Sequence, residues 1–279
     1  MKTASGIVSP DLCSMNSRRN KQTGLRKRVG SHNRCWIWGR NVVAETLRAR
    51  RWPIAELALG HKLEASVAAE FRRLARSAGI PLVETDEAGL AKLCRAEDHQ
   101  GCAARMEEFP YLSPDQFHKA VPADALIVVL DRIQDSFNFG AIIRSVESLG
   151  LDGVVIGAVE QCGVNSQAAR SSAGAVNYVP LCRVDDVPSF TTDLMRRGWQ
   201  VWGASERGSI SLDAAEFHPP LALVIGNEAT GIHPDLWARC TGTVRIPMAG
   251  RVGSLNAAVS AGILCYAAAR SRRRRPQEP

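Results

Sequence analysis

The sequence predicts an α/β protein built around a parallel sheet, and three observations carry that reading. From Trp36 onward, short apolar runs alternate with stretches of helical periodicity. One run, Leu126 to Leu130, is apolar at every position, as expected for a strand covered on both faces. No apolar run approaches the roughly 18 residues of a membrane span, and no continuous apolar signal region opens the chain, so the expected location is cytoplasmic.

Taken in order, residues 1 to 33 form a basic arm rich in Ser, Asn, Gly, Arg and Lys with almost no apolar periodicity, expected to be disordered. Residues 34 to 108 predict a small α/β domain. Its expected elements are a helix over Asn41 to Arg50, a strand over Ile54 to Leu59, a helix over Ala65 to Ala78, a strand over Pro81 to Val83, a short helix over Leu90 to Cys94 and a strand over Cys102 to Met106. Residues 109 to 124 hold Pro110, Pro114 and Pro122 and predict an extended linker. Residues 125 to 270 predict the larger domain, with strands at Leu126 to Leu130, Val154 to Ile156, Gln200 to Ala204, Leu221 to Ile225 and Val244 to Ile246. Helices are expected over Asn138 to Leu149, Ala168 to Ser172, Asp186 to Arg196 and Ser254 to Arg270. Such alternation implies a doubly wound sheet with ligands beyond the carboxyl ends of its strands. Residues 271 to 279 form a basic tail.

The net charge of +7 is unevenly spread. Residues 1 to 34 carry eight basic groups against Asp11 alone, residues 270 to 279 carry five against Glu278, and the body between is slightly acidic. Basic ends on an acidic globule suit a phosphate backbone, although solvated tails without a partner would look the same. The eight cysteines show no CxxC pair and read as reduced, mostly buried thiols, with no metal expected.

Three loops at strand ends place small residues beside polar ones: NFGAIIRS with Asn138, Gly140 and Arg144; IGNEATGI with Gly226 and Glu228; and IPMAGRVGSLNAAVSAGI with Ile246, Ser254, Leu255 and Asn256. Singly they are ordinary. Asn138 and Ser254 would serve as helix caps, Glu228 as a loop carboxylate and Arg144 as a surface cation. No GxSxG surrounds Ser254, and GxGxxG and GxxxxGK[ST] are absent, which lowers hydrolase, dinucleotide and P-loop readings. His99 reads as structural.

In this order and spacing the three loops resemble the motifs of SpoU-type RNA ribose 2′-O-methyltransferases, the TrmH-like branch of the SPOUT superfamily. RSSAGAVNYVP at 170 to 180, WGRNVVAETLRARRWPIAELAL and HQGCAA look like the subgroup that methylates guanosine in ribosomal RNA. The pattern departs at Ser136, where Pro is usual, and at Phe139, where a smaller apolar residue is common. The resemblance implies a C-terminal SPOUT domain with a trefoil knot and a parallel sheet, preceded by a small ribosomal-protein-like substrate-binding domain. It also implies S-adenosyl-L-methionine as cofactor, held at Gly226, Ile246 and Leu255. The implied reaction is 2′-O-methylation of a guanosine in large-subunit (23S) ribosomal RNA. Ribose methylation of tRNA, or a non-catalytic rRNA-binding protein retaining the fold, stand as alternatives.

The resemblance gives Arg144 the central catalytic role. A guanidinium with a pKa above about 12 is a poor base, so Arg144 reads as a phosphate anchor and stabiliser of a developing alkoxide. Asn138, Glu228, Ser254 and Asn256 then orient nucleotide and donor, with Glu228 the second candidate for taking the proton. The expected partners are RNA, not DNA or membrane, and a second copy of the chain. The dimer is implied by the resemblance and by the alanine-rich helix after Ser254.

Overall fold

The computed structural model describes residues 35–251 and 253–274, so the basic arm lies outside the described residues, as does most of the tail. The first lobe contains β1 (Trp36–Trp38), α1 (Arg40–Ala49), β2 (Ile54–Gly60), α2 (Ala65–Ser77), β3 (Leu82–Thr85), α3 (Glu87–Cys94) and β4 (Cys102–Met106). Its sheet runs β1-β4-β2-β3, with β4 antiparallel to both neighbours and β3 parallel to β2. Helices α1 and α2 turn Val42, Val43, Leu47, Phe71 and Leu74 inward. His99 is structural, as expected: it is buried and its Nδ1 accepts the Gly101 N–H. Gln100 beside it caps α1, its Oε1 accepting the Arg40 N–H at 2.8 Å where Gly39 has no side chain to offer.

The stretch expected to be an extended linker is not one. Residues Pro114–Ala120 form α4, started by a reciprocal capping box between Ser113 and Gln116. Pro114 occupies the first helical turn, where its missing N–H costs nothing, so a proline expected to keep a linker extended opens a helix instead. Phe117 is fully buried, and Leu112 exchanges backbone hydrogen bonds with Leu181 and Arg183.

The second lobe comprises β5 (Leu126–Asp131), α5 (Ser136–Ser148), β6 (Gly153–Gly157), α6 (Ser166–Ser171), β7 (Leu181–Val184), α7 (Val187–Arg196), β8 (Gln200–Ala204), β9 (Ile210–Ser211), β10 (Leu221–Gly226), α8 (Pro234–Trp237), β11 (Gly242–Arg245) and α9 (Ala257–Arg274). The seven strands lie in the order β7-β6-β5-β10-β8-β11-β9, every pair parallel. Strand β5 is buried at all six positions, which accounts for its unbroken apolar pattern.

Three differences from the expected elements have local causes. Asp135, not Asn138, caps α5: its carboxylate accepts the Phe137 N–H at 2.6 Å, so the helix begins earlier and Asn138 falls inside the first turn. Ser136 therefore stands at the first helical position, which favours proline, and its hydroxyl instead accepts from Asn165 at 2.9 Å. Ser254 caps nothing. Helix α9 begins at Ala257, with Asn256 Oδ1 accepting the Ala258 and Val259 N–H groups, and runs on to Arg274, beyond the expected end at 270. Within that last stretch Arg272 bonds Asp152 at 2.7 Å.

The lobes share one core. Ile37, Val42 and Leu47 belong to the same apolar cluster as Ala168, Val176 and Ile142. Polar contacts border the junction: Ser166 Oγ donates to the Trp36 carbonyl at 2.7 Å, buried Asn177 donates to Thr46 Oγ1 at 3.0 Å, and Arg170 lies over the Trp38 ring while pairing with Asp98.

Candidate active site at the carboxyl ends of the sheet

Strands β5 and β10 are neighbours in the middle of the sheet, and helical connections leave them towards opposite edges, so their carboxyl ends flank a crevice. The loops leaving them are fastened together by groups that the sequence reading passed over. Asp131, buried at the end of β5, accepts the His233 N–H at 2.6 Å and pairs with Arg132 through two contacts of 3.1 Å. Arg132, held at φ +62°, reaches the Gly231 carbonyl, and Asn227 donates to the Arg132 carbonyl at 2.8 Å. Asn227 also accepts the Ala229 and Thr230 N–H groups, closing the loop over itself. The available signal was the abrupt change from apolar strand to Asp-Arg at 131 and 132, a charged pair at the mouth of a buried strand.

On this frame the three motifs meet. Asn138 Nδ2 donates to Glu228 Oε1 at 3.0 Å, and Asn138 Oδ1 accepts from Asn256 Nδ2 at 2.9 Å. A buried amide thus joins the start of α5, the loop after β10 and the start of α9. Glu228 and Asn256 are exposed, so the relay runs from the protein interior to solvent. Ser254 and Leu255 are exposed two residues and one residue before Asn256. Among the described residues Ser254 makes no hydrogen bond.

Arg144 stands apart from this relay. Six residues separate it from Asn138, about 9 Å of rise and a 240° turn of the helix, so it leaves α5 on another side. There it is exposed, facing a polar cleft with Glu45, Glu147 and Tyr178.

Gly226 ends β10 in register with Asp131 of β5, and Ala204 ends β8 opposite Ile225. Ile246, half-buried, leaves β11 on the far side of β8, about two strand spacings or roughly 10 Å from Gly226. The reason for glycine at 226 is internal: a Cβ would lie 2.3 Å from the Ile232 nitrogen and 2.4 Å from the Gly231 carbonyl carbon. The loop already occupies that space, so the position excludes side chains with or without a ligand. The seven described cysteines are unpaired, and among the described residues no group of three or more His, Cys, Asp or Glu could hold a metal ion. No helix among them is long and apolar enough to cross a membrane.

Comparison with known proteins shows the family. Residues 125–266 match the model of the SpoU rRNA methylase family, and residues 36–112 match the RNA 2′-O ribose methyltransferase substrate-binding domain. An uncharacterized tRNA/rRNA methyltransferase of Mycobacterium avium (strain 104) is 36% identical over 240 residues, spanning 85% of this chain and 77% of the relative. Among solved structures, the SpoU methyltransferase AviRb of Streptomyces viridochromogenes in complex with AdoMet aligns with a TM-score of 0.75 at 28% identity, over 88% of this chain and 95% of that one. An AdoMet-bound rRNA methyltransferase of Sinorhizobium meliloti aligns at 0.71 with 25% identity, over 85% and 87%.

Proposed function

Since this chain belongs to the SpoU rRNA methylase family, we propose that it moves the methyl group of S-adenosyl-L-methionine to a ribose 2′-hydroxyl of RNA, the target being a guanosine of large-subunit (23S) ribosomal RNA in the cytoplasm. The observation that carries the proposal is the Asn256–Asn138–Glu228 relay, which gathers one polar residue from each motif at the ligand-binding end of the sheet.

The residues present suit this donor. Ile246 and Leu255 offer apolar contact, and loop backbone near Gly226 supplies the polar groups that read a base edge. When bound, the donor supplies a methyl group already activated on a sulfonium, so the protein's work is alignment and removal of one proton. Asn138 fixes Glu228 through one oxygen, and among the described residues the second oxygen accepts no hydrogen bond. That free oxygen is the ionisable acceptor nearest the relay, and it takes the hydroxyl proton. Asn256 and Ser254 line the approach and orient the ribose. Arg144 serves the reaction through the substrate's phosphate, stabilising charge without touching the relay.

The trefoil knot of the C-terminal domain belongs to this reading through the family. Helix α9 then exposes Val259, Ile263 and Tyr266 along one side, at spacings of four and three residues, an apolar stripe fit to be covered by a second copy. The test of function is a map of ribose methylation over total RNA from a strain lacking the gene. We expect one 2′-O-methyl group to vanish from large-subunit rRNA. Loss from tRNA instead would move the target, and an unchanged map would refute the activity.

A further inference from the structure

We propose that Arg132 is a positioning residue for Glu228: its guanidinium fixes the stem of the 227–231 loop, so that the carboxylate stands at the relay before donor or RNA arrives. This rests on the methyltransferase reading above and adds to it a residue that lies upstream of the first motif.

Residues 228–231 are all exposed, so packing does not hold this loop in place. Hydrogen bonds do. Asn227 and Gly231 exchange backbone bonds of 3.1 and 2.9 Å, which close the loop but tie it to nothing outside itself. Two ties join it to the rest of the site. At its tip, Asn138 holds the Glu228 carboxylate at 3.0 Å. At its stem, the Arg132 side chain donates to the Gly231 carbonyl at 3.1 Å and the Arg132 carbonyl accepts from Asn227 at 2.8 Å. Glu228 is open to water, which competes for the tip bond, so the stem has to carry the loop.

Arg132 is suited to that task and is held for it. It stands at φ +62°, a left-handed conformation that costs free energy in a residue with a Cβ and that glycine or asparagine adopts more readily. Strain of this kind persists where the surrounding structure enforces it, and here the side chain supplies the reason. Nε and Nη2 each meet an oxygen of buried Asp131 at 3.1 Å while Nη2 also reaches Gly231, and Asp131 is itself fixed by the His233 N–H at 2.6 Å. A planar fork can lie along a carboxylate and still present an N–H to a carbonyl; an ammonium has no such plane. Beyond Arg132 the chain is pinned as well. The Ile133 N–H donates to Gln161 at 2.9 Å, the Ile133 carbonyl accepts the Cys162 N–H at 2.7 Å, and Asp135 starts the helix that carries Asn138. Arg132 and Asn138 thus belong to one fixed segment that grips the loop at stem and tip.

The test uses the full-length enzyme, saturating S-adenosyl-L-methionine and protein-free total RNA from a strain lacking the gene. Arg132→Asn keeps a residue at home in the left-handed region and removes the fork. Its kcat should fall about tenfold with KM for RNA within about twofold, less than the roughly 100-fold that a full 1 Å misplacement costs because Asn138 still holds the tip. Arg132→Lys should recover little. In a Glu228→Ala background, Arg132→Asn should slow kcat by no more than about twofold further, since nothing is left to position. Should Arg132→Asn melt below the wild type, Arg132→Gly, for which φ +62° is unstrained, carries the same comparison. A wild-type kcat in either variant at normal melting temperature would overturn the proposal. So would a wild-type kcat in Arg132→Lys, or a full further tenfold loss in the Glu228→Ala background. If the wild type transfers no methyl group, the activity is what fails. The clamp is then judged by hydrogen exchange of the peptide 226–233, which Arg132→Asn must speed about tenfold; unchanged exchange overturns it.

Discussion

Asn138→Ala removes both middle bonds of the relay at once. The bond to the Glu228 carboxylate is of the charge-assisted kind, worth about 1.5 to 3 kcal/mol, and the bond from Asn256 is neutral, worth about 0.5 to 1.5 kcal/mol. Glu228 and Asn256 are exposed and recover water on losing their partner, which favours the low end of both ranges. Alanine also gains a few tenths of a kcal/mol in helix propensity. A net loss of about 1.5 kcal/mol should lower the melting temperature by about 3 to 6 °C for a chain of this size. The effect on rate should be larger, on the order of 100-fold in kcat, because two loops lose their common anchor and catalytic groups misplaced by about 1 Å lose that much. Thermal melts and methyl-transfer rates are to be measured for Asn138→Ala, Glu228→Ala and the double variant. If Asn138 acts by holding Glu228, the double variant should be scarcely slower than the worse single one. Rate effects that add within about 0.3 to 0.5 kcal/mol would show two independent residues and refute the relay.

Three further outcomes are expected. Arg144→Ala should lose transfer by a factor on the order of 100 to 1,000 while donor affinity is unchanged, and Arg144→Lys should recover little because ammonium lacks the planar fork. A wild-type rate at saturating donor would remove Arg144 from the mechanism. Gly226→Val should lower melting temperature and donor affinity together, because the new side chain meets the 231–232 backbone before it meets any ligand. Donor affinity lost at an unchanged melting temperature would restore a purely ligand-facing role. Val259→Glu should convert a dimer, as weighed by light scattering at micromolar concentration, into a monomer, and a wild type that is itself monomeric would remove the stripe as an interface.

Long elements were legible in the sequence because burial writes a pattern. Strand β5 is apolar throughout since both faces are covered, and α2 carries its apolar residues on one side. Strands β1, β7 and β9 were not among the expected elements; they are two to four residues long, although β3 and β11, equally short at four, were found. Helix α4 escaped because three prolines within 109 to 124 suggest an extended linker, while the Ser113–Gln116 box that starts the helix is two ordinary polar residues in the sequence. At the site, Asn138, Glu228 and Asn256 were found as motif members, but their mutual contact spans 90 and 118 residues of sequence, a separation across which periodicity carries no information. Arg144 illustrates the opposite hazard: nearness in sequence to Asn138 suggested nearness in space, which a 240° helical turn denies.

Asn256 holds two offices with one amide: its oxygen starts α9 and its nitrogen grips Asn138. Seating of that helix and assembly of the relay are therefore a single event. Of the elements that build the site, α9 is the last to leave the ribosome, so a nascent chain carries every other part of the machinery in a silent form. Products broken off before residue 256 lack the Asn256 contacts of both the helix start and the relay.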